Sequence, residues 1–159
     1  MKKRLNSIGT QFFDLFRAKQ NAVALSLSGG AVHGAAHIGV LQVLEEAGLR
    51  PAIITGTSAG ALVGGAYAAG VTPAELEHIF MNISWRELLR PAWRDSLGLF
   101  NTTPMETYIG KIVGDRQIED LPVKFAAVAC DILTGDPVIL NKGSLASAMR
   151  ASAAVPGIF

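Results

Sequence analysis

The pentapeptide Gly56-Thr57-Ser58-Ala59-Gly60 stands between an apolar run, Ala52-Ile53-Ile54-Thr55, and a segment of small residues from Ala61 to Gly70. Strand, sharp turn and helix form the context that gives a G-x-S-x-G pattern chemical meaning. Such a turn holds Ser58 in a strained backbone conformation, with its hydroxyl exposed at a strand end. Gly56 and Gly60 leave room where neighbouring backbone comes close. Ser58 also falls at a helix N-terminus, where unpaired N–H groups favour developing negative charge. A plain turn with a chance serine is the competing reading, and the pentapeptide alone leaves both open.

A second glycine-rich turn lies upstream. Ala22-Val23-Ala24-Leu25-Ser26-Leu27 reads as a strand, Ser28-Gly29-Gly30-Ala31-Val32-His33-Gly34 as a turn, and the residues to Ala47 as a helix. Acyl transfer needs donors aimed at an oxyanion, and the backbone N–H groups of such a loop can supply them. Two strand–turn–helix units side by side would bring this loop and Ser58 to one edge of a parallel sheet, where open α/β sheets carry their sites. A phosphate loop fits poorly, because the spacing is not G-x-G-x-x-G and no Gly-Lys-Ser/Thr follows.

Leu25 to Gly48, LSLSGGAVHGAAHIGVLQVLEEAG, followed by ITGTSAGALVGG, resembles the patatin-like phospholipase domain. The resemblance runs from about Val23 to the last residue and includes ACDILTG around Cys130 and RASAAVPGIF at the end. It implies an α/β fold, a three-layer sandwich with a mainly parallel sheet, incomplete in this chain. It implies acyl-ester hydrolysis of lipids by a Ser–Asp dyad without a histidine. Ser58 maps to the nucleophile, Gly29, Gly30 and Ala31 to the oxyanion hole, and Gly56, Thr57, Ala59 and Gly60 to the nucleophile elbow. No cofactor and no metal are implied. The chain departs from the family at Ala31, where glycine is usual, and at His33, where Arg or Lys is usual. The family's catalytic aspartate sits in an Asp-Gly pair downstream of the A-S-A-A-x-P-G stretch. Asp14, Asp95, Asp115, Asp120, Asp131 and Asp136 all lack a following glycine, and the chain ends at Phe159 inside that stretch. The expectation is therefore the N-terminal part of a catalytic domain, weakly active by itself, since a serine without its base is a weak nucleophile.

The 159 residues suit one domain with a real core. Half of them are hydrophobic and 17% are charged, which is apolar for this size. A net charge of +1 argues for no nucleic-acid partner. Cys130 is the sole cysteine, so an intramolecular disulfide is excluded and a reducing, cytoplasmic setting is compatible. Its place in a strand-like run marks Cys130 as a small buried hydrophobe. His33 and His37 lack the nearby Cys or carboxylate pattern of a metal site.

Residues 1–20 form a segment apart from residues 21–159. Lys2, Lys3 and Arg4 with Leu5, Ile8, Phe12, Leu15 and Phe16 suggest a basic amphipathic helix in peripheral contact with a membrane. Asn6, Ser7 and Gly9 weaken that helix and favour one docked on its own domain, or a frayed end. Two uncharged runs, from Gln20 to Leu44 and from Pro51 to Ala74, are long enough for membrane spans, but their Gly, Ala, Ser and Thr content fits buried strand–turn–helix units better.

The helix from about Ala35 to Ala47 aligns Ile38, Leu41 and Leu44, with Gly48 as its stop. His37 on it reads as a packed or capping residue rather than a catalytic one. Residues from about Thr72 to Val113 read as a helical insertion with three capping boxes, Thr72/Glu75, Ser84/Glu87 and Thr103/Glu106. Its apolar residues, with Trp85 and Trp93, suggest a lid or acyl-chain wall, or ordinary helix packing. Arg86, Arg90 and Arg94 share helical spacing and read as a solvated face, with contact to lipid phosphates as the alternative. Val123 to Cys130 and Val138 to Leu140 read as strands joined by a turn that explains Asp131. Ser144 caps a last helix, and Ser152 reads as a turn or helix-end serine with no elbow around it.

Two function classes follow. One is a serine acyl hydrolase whose partner is a lipid or another ester. The other is a lipid-binding or interaction module that keeps the fold without the dyad. A Ser-His-Asp hydrolase fits less well, because His78, the one histidine after Ser58, sits in a capped helix.

Overall fold

The computed structural model describes residues 23–83, 90–91, 100–101 and 103–154. In chain order the elements are β1 (Val23–Leu27), a 3₁₀ turn (Ala31–Gly34), α1 (Ala35–Glu46), β2 (Pro51–Thr57), α2 (Ala59–Ala68) and α3 (Pro73–Asn82). There follow β3 (Arg90–Pro91), β4 (Phe100–Asn101), α4 (Thr103–Val113), a 3₁₀ turn (Ile118–Asp120), β5 (Lys124–Cys130), β6 (Pro137–Leu140) and α5 (Leu145–Ala153).

The main sheet runs β1-β2-β5-β6. β1, β2 and β5 are parallel, and β6 closes the edge antiparallel to β5. This is the α/β fold with a mainly parallel sheet that the sequence implies. Both crossovers step the same way across the sheet, so right-handed connections carry their helices to one face. On that face α2 packs against β1, β2 and β5, and α5 against β5 and α2.

Small residues allow this close approach. Nine of the ten α2 residues are buried, all but Leu62. A β-carbon on Gly64 would lie 2.7 Å from Ile54 Cγ2, and one on Gly65 2.8 Å from Met149 Sδ. Larger residues would therefore lift α2 off both the sheet and α5. Leu41, Ile54 and Leu145 are fully buried around it, each contributing about 1.5–3 kcal/mol of burial. Gly48, at φ +70°, ends α1 as its position suggests.

Several expectations change. The segment from Thr72 to Val113 is not helical throughout: Arg90 and Pro91 pair antiparallel with Asn101 and Phe100. Arg90 therefore lies in a strand, outside any helical row of arginines. The Thr72/Glu75 capping box is formed, but the Glu106 carboxylate turns to α5, accepting from Ser147 Oγ at 2.7 Å and pairing with Arg150 at 2.9 Å. The side chain of Thr103 lies outside the described ones, and with it the Thr103/Glu106 box. Cys130 is exposed rather than buried. Period-two alternation puts it on the face opposite Phe125 and Ala127, and it is the last residue of β5. The N-terminal segment, the Ser84/Glu87 box, Trp85, Trp93, Arg86, Arg94 and residues 155–159 lie outside the described residues.

Candidate active site

The G-x-S-x-G pentapeptide folds as a strand-to-helix elbow. β2 ends at Thr57 and α2 begins at Ala59, with Ser58 between them at φ +52°, ψ −121°. A non-glycine residue at such angles stores on the order of 1–3 kcal/mol of strain, held only by its surroundings. The flanking glycines show what holds it. A β-carbon on Gly56 would collide with the Gly60 carbonyl oxygen and lie 2.6 Å from Ala61 Cα. One on Gly60 would collide with the Leu27 carbonyl oxygen and lie 2.7 Å from the Ser28 oxygen. The second glycine thus presses the elbow against the end of β1, where the upstream loop starts.

That contact brings the two glycine bends together. A β-carbon on Gly29 would lie 3.2 Å from Ser58 Cβ and 3.9 Å from Ser58 Oγ. Gly30 follows at φ +153° and Ala31 at φ +48°. Ala31 accordingly takes left-handed angles at the position where the resemblance leads one to expect glycine. Two histidines hold carbonyls of this loop. His37 Nε2 lies 2.9 Å from the Ser28 oxygen and His33 Nδ1 3.2 Å from the Gly30 oxygen. A carbonyl only accepts, so each of these ring nitrogens carries the hydrogen. His33 also donates its backbone N–H to Gly30 at 3.0 Å. His37 therefore acts as a loop cap, in line with its sequence reading.

Ser58 is half-buried, and its hydroxyl has no side-chain partner among the described residues. Its backbone N–H donates to Ser152 Oγ at 2.9 Å, and Ser152 donates in turn to the Val128 carbonyl at 2.6 Å. Ser152 stands at the end of α5, as its sequence reading has it, and is also a neighbour of the Ser58 elbow, which that reading did not reveal. The partners are 94 residues apart in the chain, and no local pattern joins them. Asp131 behaves as a turn residue: its Oδ1 accepts from the N–H groups of Leu133 and Thr134 at 2.8 and 3.3 Å. His78 is exposed on α3. Among the described residues no group of three or more His, Cys, Asp or Glu comes together to hold a metal.

An apolar cavity of about 110 Å³ begins beside the elbow. Ala31, Gly34 and Ala59 form its near wall; Leu62 and Ala66 of α2, Ile79 and Phe80 of α3, and Met105 and Tyr108 of α4 continue it. The helices flanking residues 84–102 thus contribute side chains to this cavity. The arrangement offers a serine hydroxyl at a helix N-terminus, a glycine-rich loop facing it, and an apolar space alongside.

A family model for patatin-like phospholipase matches residues 25–159. The chain is similar to an NTE family protein of Mycobacterium bovis, 40% identical over 139 residues that cover 86% of this chain and 38% of that protein. It is also similar to patatin-like phospholipase domain-containing protein 7 of Mus musculus, 33% identical over 144 residues covering 86% of this chain and 10% of that protein. Among solved structures, full-length ExoU of the Pseudomonas aeruginosa type III secretion system, in complex with SpcU, superposes with a TM-score of 0.61 at 18% identity, over 85% of this chain and 38% of that one. The likeness shows a shared fold. The chain spans well under half the length of these relatives, 38% of the mycobacterial protein. With a match that covers both glycine bends and continues to Phe159, the chain belongs to the patatin-like phospholipase family.

Proposed function

We propose that the chain carries the nucleophile and oxyanion loop of a serine acyl hydrolase acting on phospholipid or another lipid ester. The observation behind this reading is the approach of Gly29 to Ser58, with the apolar cavity next to both. Ser58 Oγ attacks the ester carbonyl, and an aspartate outside residues 1–159 accepts its proton. The tetrahedral oxyanion rests on the N–H groups of Gly29, Gly30 and Ala31, each such donor being worth about 3 kcal/mol in the barrier. The leaving alcohol takes up the proton, and water then releases the fatty acid from the acyl-enzyme. The acyl chain lies along the cavity wall formed by α2, α3 and α4.

The family name and the phospholipase domains of the relatives support the lipid class. The apolar cavity alone would equally serve a module that binds lipid without cleaving it. Hydrolysis of p-nitrophenyl octanoate by the full-length protein separates the two. Turnover that falls roughly a thousandfold or more in Ser58→Ala supports the enzyme. Lipid binding without Ser58-dependent turnover supports the module. The N-terminal basic segment would add peripheral membrane contact, which vesicle sedimentation with and without residues 1–20 would reveal.

A further inference from the structure

We propose that Ser152 is a positioning residue for Ser58: its hydroxyl sets the backbone of the nucleophile, and through it the direction of Ser58 Oγ.

The β2–β5 ladder ends at the pair Thr57–Val128. One residue later β2 turns away at Ser58, while β5 continues to Cys130 alongside β6. The parting strands leave a Ser58 N–H and a Val128 carbonyl facing a gap. Ser152 Oγ fills it, accepting from the first at 2.9 Å and donating to the second at 2.6 Å. A hydroxyl has one hydrogen to give and lone pairs to receive, so a single small group meets both needs. Alanine meets neither, and a thiol forms longer, weaker bonds. Ser152 is buried, and Ala148, Met149 and Ala153 seat its helix in the core. The anchor for the elbow is therefore a fixed one.

The link to chemistry runs through the Ser58 angles. Ser58 precedes the first residue of α2, so its N–H lies outside the helix's own hydrogen bonds. At φ +52° the residue has reason to relax toward negative φ once that N–H is released. Such relaxation would swing Ser58 Cβ away from Gly29. A backbone hydrogen bond made by a residue that never touches substrate would thus govern how well the hydroxyl and the loop meet. The kinetic part of this inference rests on the reading of Ser58 as the nucleophile.

The test compares full-length wild type, Ser152→Ala, Ser152→Cys and Ser152→Thr by two readouts. The first is hydrogen exchange of the Ser58 amide against that of Ile54 in the same strand. The second is the rate of Ser58 phosphonylation by alkyl fluorophosphonates of several chain lengths. We expect Ser152→Ala to speed Ser58 exchange and to slow phosphonylation, each by about tenfold or more, with Ile54 exchange and the chain-length preference unchanged. Ser152→Thr, which keeps the hydroxyl, should recover most of the rate. Where Ser152→Ala fails to fold, Ser152→Cys carries the same comparison. Equal loss of protection at Ser58 and Ile54 would assign Ser152 to general stability and overturn the proposal. So would unchanged Ser58 exchange and labelling. A wild type that labels while the variants label as fast sinks this inference alone; a wild type that never labels at Ser58 sinks the hydrolase reading along with it.

Discussion

Gly60 sits so close to Leu27 that a β-carbon on it would collide with the Leu27 carbonyl oxygen. This contact locks the elbow of one strand–turn–helix unit onto the end of the neighbouring strand. Gly60→Ala should therefore lower stability by roughly 3 kcal/mol or more, since backbone must move to admit the methyl. A β-carbon on Gly39 of α1 would meet nothing within 4 Å, and Gly39→Ala should raise stability by about 1 kcal/mol through helix propensity. Urea unfolding of the two variants checks both signs.

Ala31 holds φ +48° in the loop that faces Ser58. Left-handed angles cost an alanine about 1–2 kcal/mol, whereas glycine adopts them freely at some cost in unfolded-state entropy. Ala31→Gly should accordingly be neutral to stabilising by up to about 1 kcal/mol, while Ala31→Val should destabilise. Thermal melts of the pair would show it; a clear loss in Ala31→Gly would mean that the methyl group, which lines the cavity, matters more than the strain.

Glu75 should make the start of α3 sensitive to acid. Its Oε2 accepts from both the N–H and the hydroxyl of Thr72 at 2.8 Å, and these bonds hold its carboxyl below the usual carboxylate value. A group whose pKa is lowered by folding stabilises the fold above its unfolded pKa. That contribution fades as pH falls from the unfolded value through the lower folded one. Glu75→Gln keeps an acceptor that does not titrate, so its stability should change less across that acidic window. Thr72→Ala should lose about 1 kcal/mol at neutral pH. Unfolding midpoints at several acidic pH values test the sign.

Ile79 lines the cavity from α3 and is only partly buried. Ile79→Trp should fill part of that space without crowding the central core. On the proposed reading, hydrolysis of long-chain esters should fall by roughly tenfold relative to short-chain ones, the scale of a few lost methylene contacts in an apolar pocket. An unchanged ratio would show that acyl chains lie elsewhere.

The two glycine bends were legible because the required residue types report local sterics. Gly56 and Gly60 are needed where backbone meets backbone, and the sequence shows them two residues either side of Ser58. The small residues from Ala61 to Gly70 were equally visible in the sequence, and they are what lets α2 lie close on the sheet. Ser152 was not legible, because its bond to Ser58 depends on α5 arriving beside the last β2–β5 pair, which is a matter of tertiary arrangement. The β3–β4 ladder was not legible either, since two-residue strands carry no alternation to read. Cys130 was misplaced because strand membership says nothing about which face a residue takes until the neighbouring helix is known.

The central claim is that the hydroxyl of Ser58 and the loop from Gly29 to Ala31 together form an acylation site. Fluorophosphonate labelling of the full-length protein, mapped by peptide mass spectrometry, tests it most directly. One phosphonylated residue, Ser58, is expected, with no labelling in Ser58→Ala. Label on another residue, or label that survives Ser58→Ala, would contradict the claim.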